Sequence, residues 1–233
     1  MKGKILGVAL IGLALGVVTA RAEVISVNFT DSDKNYQIPA TIAAGIDGYT
    51  NWNNTTTRSG TNIALKDSDS NATAARLTFS SQTTWYNNSA YSDADAGDGD
   101  AMLAAGYLDD GRDGQSVADI RITGLAGTYG VILYLGTDSN AGHYLPFTVN
   151  GTQYSTTGDK STWVTGEGTN HWDVSNTITI AGLTGDLRIT GEHKDGNNRG
   201  SISGVQVIPE PVAFGLVVMV SGAMLFIRRH FII

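Results

Sequence analysis

The chain has 233 residues, with 22 acidic and 15 basic side chains, a net charge of −7 and no cysteine. Those numbers exclude a disulfide framework and a thiolate metal site. They also argue against a nucleic-acid partner, whose phosphates need a basic face.

The N-terminus opens with Met1-Lys2-Gly3-Lys4, an apolar run from Ile5 to Val18, and then Thr19-Ala20-Arg21-Ala22. A basic start, an apolar stretch of this length and an Ala-x-Ala site describe a secretory signal peptide. Cleavage by signal peptidase is expected after Ala22. An uncleaved anchor is the competing reading, disfavoured because the run is short for a span. Residues 23–208 then form the body, with 21 acidic against 10 basic side chains and a net charge of −11. Its length suits one domain that rests on its own core.

The body shows no convincing amphipathic helix; period-2 alternation recurs instead. Ile25, Val27 and Phe29 alternate with polar residues, as do Leu77 and Phe79, Ile120 and Ile122, Ile178 and Ile180, and Leu187 and Ile189. Phe147 and Val149 precede Asn150-Gly151, a strong hairpin signal because a type I′ turn needs φ > 0 at both positions. Val131 to Leu135 is apolar on both faces, which predicts a central strand covered on both sides. Ile202 and the Val205/Val207 pair have opposite parity, so a bulge is expected near Gly204. The looser stretch from Thr30 to Ser116 predicts long loops, with strands near Ile63–Leu65, Arg76–Ser80 and Met102–Leu108. Together these elements predict an all-β fold: an antiparallel two-sheet β-sandwich of jelly-roll type.

Two local features suggest sites. Asp93, Asp95, Asp98 and Asp100 crowd one glycine-containing loop. Hard oxygens of that kind are what Ca2+ takes, and no other cofactor is called for. A solvated acidic loop is the alternative. The neighbouring Asp67-Ser-Asp69-Ser-Asn71 begins like a calcium loop, but it has Ala72 where an EF-hand needs glycine. The second feature is aromatic. Trp52, Trp85, Tyr86 and Trp172 each lie near polar residues, and a flat aromatic face beside hydrogen-bonding groups suits a carbohydrate ring. Burial in the core is the competing reading. Catalysis finds little support: no paired histidine ligands and no Gly-x-Ser-x-Gly elbow occur, so a non-enzyme is expected.

The chain ends in Pro209-Glu210-Pro211, an unbroken run of apolar and small residues over residues 212–227, and Arg228-Arg229-His230-Phe231-Ile232-Ile233. As a helix, 16 residues rise roughly 24 Å, slightly short of a hydrocarbon core near 30 Å. Snorkelling arginines can extend it, and they place the C-terminus on the cytoplasmic side. This C-terminus resembles the PEP-CTERM sorting signal, on Pro209, Glu210, Pro211, Arg228 and Arg229 and the span between. The resemblance covers about a tenth of the chain. It implies processing by the membrane transpeptidase exosortase in a Gram-negative bacterium that makes extracellular polysaccharide. The expectation that follows divides the chain into a signal peptide (1–22), a β-sandwich (23–208) and a sorting signal with a transmembrane helix (209–233). The body would be an exported, non-catalytic surface or matrix protein, anchored in the inner membrane in transit. A carbohydrate-binding module, Ca2+-dependent or not, and a small secreted hydrolase are the alternatives.

Overall fold

The structure, a computed structural model, describes residues 24–31, 36–87, 90, 94, 97–109, 118–135, 147–155, 172, 176–191 and 201–210. In chain order the strands are β1 (Ile25–Phe29), β2 (Asn53–Thr55), β3 (Ser59–Lys66), β4 (Ala72–Ser80) and β5 (Thr83–Tyr86). After helix α1 (Gly99–Ala105) come β6 (Gly106–Asp109), β7 (Asp119–Thr123), β8 (Thr128–Tyr134), β9 (Phe147–Val149) and β10 (Thr152–Tyr154). Strands β11 (Thr177–Thr184), β12 (Leu187–Gly191) and β13 (Gly204–Pro209) complete the order.

Three open sheets result, none closed into a barrel. The first has the order β11-β8-β13-β1-β2, the second β10-β9-β12-β7-β4-β3, and the third pairs β5 with β6. The two large sheets enclose the main core. Val27, Phe29, Val131, Leu133 and Val205 come from the first, and Leu77, Phe79, Ile120, Ile122, Leu187 and Ile189 from the second. These are the alternating residues of each strand, so burial of one face per strand explains the layering. Asn150 and Gly151 both have positive φ and turn β9 into β10, as the Asn-Gly dipeptide demands.

Strand β8 is central in the first sheet, and Val131 to Tyr134 are buried on both faces. The face of that sheet turned away from the main core is covered by the segment 36–52 and by α1. A second core forms there from Ile38, Ala44, Trp52, Leu103, Ile132, Tyr134 and Trp172. Polar side chains sewn into this layer hold it. The Asn54 side chain donates to the carbonyls of Ile38 and Trp52 and accepts from the Ile38 N–H and Asn28 Nδ2. Asn53 ties both large sheets together, donating to Ser26 O at 2.9 Å and Lys66 O at 2.8 Å and accepting from Lys66 N.

Several expectations are corrected. The fold is not a wholly antiparallel pair of sheets: β1 and β2 run parallel, and a third sheet is present. Residues 102–105 are helical, and only 106–109 form a strand. Asp98 caps that helix through hydrogen bonds from the N–H groups of Asp100 and Ala101, a local signal that outweighs the short apolar run. The parity change near Gly204 is not a bulge. Ile202 pairs with Leu108 of β6, and the chain then crosses to pair with β1 and β8 from Gly204 onward.

The membrane-flanked architecture is corrected as well. Among the described residues no helix is long and apolar enough to cross a membrane. Residues 1–22 and the helix expected over 212–227 lie outside the described residues, as do Pro211, Arg228 and Arg229. Pro209 and Glu210 are not a free tag. Pro209 is the last residue of β13, opposite Tyr129. The Glu210 N–H donates to Thr128 O at 2.9 Å, and its carboxylate accepts from Gly182 N at 2.7 Å. Two of the motif's three residues therefore close the end of the first sheet. The sorting function, the exosortase and membrane partnership, and the localisation built on them are set aside.

Candidate functional site

Of the four aromatic residues expected to form a sugar platform, two are core residues. Trp52 and Trp172 are 5% and 4% exposed. Both meet the Tyr134 ring edge-on, at centroid distances of 5.8 Å and 5.0 Å. The Trp52 indole donates to Tyr49 O at 2.8 Å, and that of Trp172 to Asp100 Oδ1 at 3.2 Å. Buried indoles need such acceptors. Tyr134 closes the cluster: its hydroxyl donates to Gln206 Oε1 and accepts from Ile46 N. Burial raises its pKa, and the nearby Asp47 and Asp100 add to the rise.

The acidic loop is divided. Asp93 and Asp95 lie outside the described residues. Asp98 caps α1, and Asp100 Oδ1 accepts from Gly45 N at 2.6 Å as well as from Trp172. Gly45 sits at φ +82, where a Cβ would come within 2.5 Å of the Tyr134 hydroxyl. Glycine alone takes this backbone conformation and lets the segment approach Tyr134 this closely. Asp67 behaves similarly, accepting from the N–H groups of Asp69 and Asn71 to close its own turn. Among the described residues no group of three or more His, Cys, Asp or Glu side chains is placed to hold a metal ion.

Trp85 and Tyr86 are placed differently. They lie on β5, and their rings stack at 5.6 Å with an interplanar angle of 18°. Trp85 is 44% exposed, the most exposed large hydrophobic residue among those described. The β5–β6 register sets Trp85 opposite Tyr107 and Thr83 opposite Asp109, and opposed residues share a face. The Leu108–Ile202 bridge extends that face to Ser201 and Ser203. Tyr107, Asp109, Ser201 and Ser203 are all buried. An exposed indole thus adjoins a row of buried polar groups in which the Ser201 and Ser203 hydroxyls have no hydrogen-bond partner. Buried polar groups are ordinarily satisfied.

The outer face of the second sheet carries a further feature. A groove of about 490 Å³ runs over β3, β4, β7 and β12, lined by Ser59, Thr61, Thr78, Ser80, Asp119, Arg121 and Arg188. Arg121 and Arg188 are directly opposite one another across β7 and β12. Arg188 grips Asp119 with two hydrogen bonds, at 3.2 and 2.9 Å, while Arg121 reaches Asp186 at 2.7 Å. The hydrogen bonds and charge of Asp119 raise the Arg188 pKa further. The arginines did not stand out in the sequence, though Ile120-Arg121-Ile122 and Leu187-Arg188-Ile189 already place each one outward between buried neighbours. What alternation cannot show is that β7 and β12 pair in this register.

No protein-family model and no curated protein matches the chain. A solved structure, that of protein YXIM from Bacillus subtilis, superposes with a TM-score of 0.39 and 13% identity, covering 82% of this chain and 42% of that one. The chain thus spans less than half the length of that protein, and a likeness this loose carries no argument about function.

Proposed function

We propose that this domain is a non-catalytic recognition module that contacts its ligand through Trp85 and Tyr86. The supporting observation is the exposed indole at 44%, stacked on its neighbour beside a polar face. A buried indole is explained by packing; nearly half of this one lies outside the protein's own packing and leaves an aromatic surface open to a ligand. Its flat apolar surface fits a ring ligand with apolar faces and a hydrogen-bonding rim, the class to which pyranoses belong. The stack with Tyr86 holds the indole in place before the ligand arrives, which lowers the ordering cost of binding.

Calorimetric titration of the full chain with a panel of soluble oligosaccharides tests the reading. At least one should bind, and Trp85→Ala should weaken it by about tenfold or more, the scale of a lost stacking contact. Trp85→Phe should retain part of the affinity. The proposal fails if no ring ligand binds above background, or if Trp85→Ala binds as the native chain does.

A further inference from the structure

We infer that the groove on the outer face of the second sheet is a separate binding site for a carboxylate-bearing sugar chain. The first ground is a local conflict. Like charges directly opposite across an antiparallel pair destabilise the sheet, yet Arg121 and Arg188 face each other. Nothing in the packing demands arginine there, because both side chains point to solvent, 58% and 63% exposed. Conflicts of this kind are retained where a site needs them.

The second ground is the state of the two guanidinium groups. Each arginine takes its carboxylate from the edge of the pair: Arg188 from Asp119, Arg121 from Asp186. These contacts fix the forks laterally. Arg121 uses one N–H group and Arg188 two, so most of their donors stay open to the groove. A held guanidinium with open donors matches a carboxylate in fork geometry. Of the groove lining, two cations face one anion, Asp119. Asp186 pairs with Arg121 just outside the lining, so the patch is charge-balanced within a body of net charge −11, and it is the open guanidinium donors that suit an anionic group on the ligand.

The third ground is the remaining lining. Ser59 and Thr61 of β3 and Thr78 and Ser80 of β4 lay short hydroxyl groups across two strands beside the arginines. A hydroxyl both donates and accepts, which suits a polyhydroxylated chain. An acidic peptide is the competing ligand, because arginine clusters take acidic motifs too. The row of hydroxyls favours the saccharide, and a groove of about 490 Å³ accommodates a few linked rings.

The test titrates the full chain with three probes: a short oligogalacturonate, its carboxyl-reduced neutral counterpart, and poly-glutamate. The acidic saccharide should bind, and more weakly as salt rises. The neutral counterpart and poly-glutamate should each bind at least tenfold more weakly. Arg121→Gln and Arg188→Gln should each cost about tenfold or more, and Arg121→Lys should not restore the affinity, since it keeps charge but not the fork. Trp85→Ala should leave this binding unchanged, which separates the groove from the Trp85 contact. Unchanged thermal midpoints would show that the variants remain folded. Equal binding of the neutral saccharide, equal binding of poly-glutamate, or no binding by the acidic saccharide would each overturn the inference.

Discussion

The outer faces of the two large sheets are built on the same pleat but meet opposite fates. The first sheet turns Ser26, Asn28, Ile132, Tyr134 and Gln206 outward, and all are buried. The second turns Thr78, Ser80, Arg121 and Arg188 outward, and they line an open groove. The side chains account for the difference. A tyrosine and an isoleucine at the centre of a sheet leave an apolar patch that the chain gains by covering. Long cations and short hydroxyls hydrate themselves and have nothing to gain from a lid. A covered face contributes to stability, whereas an open one is available for contact.

The sharpest way to break this comparison is to empty the covered face. Trp172→Ala removes a ring from the Tyr134 cluster and leaves Asp100 without the indole donor. Truncations of this size in a packed core cost about 3–5 kcal/mol. Urea unfolding should show a midpoint lowered accordingly. A loss below about 0.5 kcal/mol, the range of surface substitutions, would mean that the second core is not a structural layer.

A smaller effect is expected at Tyr134, and it depends on pH. Burial raises its pKa in the folded state above the ordinary tyrosine value, about 10 in the unfolded chain. The fold therefore favours the protonated phenol. That contribution is fully present below about pH 10 and is lost as pH rises through the folded pKa. Tyr134→Phe should cost about 1–2 kcal/mol near neutrality, because Gln206 and the Ile46 N–H lose a partner. It should also flatten the fall in stability in alkali. Some fall should remain, since burial raises the pKa of Tyr129 too. A variant as steep as the native chain between pH 9 and about 12 would place the alkaline sensitivity elsewhere.

The contrast between the faces also explains what could be read from sequence. The strands of the main core were legible because each carries one buried face at period 2. Val131 to Leu135 even announced a central strand. The second core was not, because the residues that cover the first sheet follow no period. Ile38, Trp52 and Leu103 come from a loop, the end of that loop, and a seven-residue helix. Asn53 and Asn54 follow no period either, and only the pairing shows their amides holding three segments together. The sequence marks Tyr134 as a strand residue, but not as the hub that takes Trp52 and Trp172 out of solvent. For the same reason Trp85 could not be told from Trp52 by its neighbours in sequence. Only the pairing of β5 with β6 leaves it at a surface.

The smallest effect belongs to the open face, and its smallness is informative. The Arg121–Asp186 pair is exposed on both sides, at 58% and 45%. Ion pairs in such settings gain little after the side chains are held and salt screens them. Removing Arg121 also relieves its repulsion with Arg188 across the pair. The two changes oppose each other, so Arg121→Gln should leave the urea midpoint unchanged within error, in low salt and in high. Asp186→Asn should be the worse of the two in low salt, because it removes the attraction and leaves the repulsion. If Arg121→Gln instead destabilised the fold as a core substitution does, the arginine pair would be a structural device and not a surface kept open for contact. The measurement therefore asks of the second sheet what Trp172→Ala asks of the first, with the opposite answer expected.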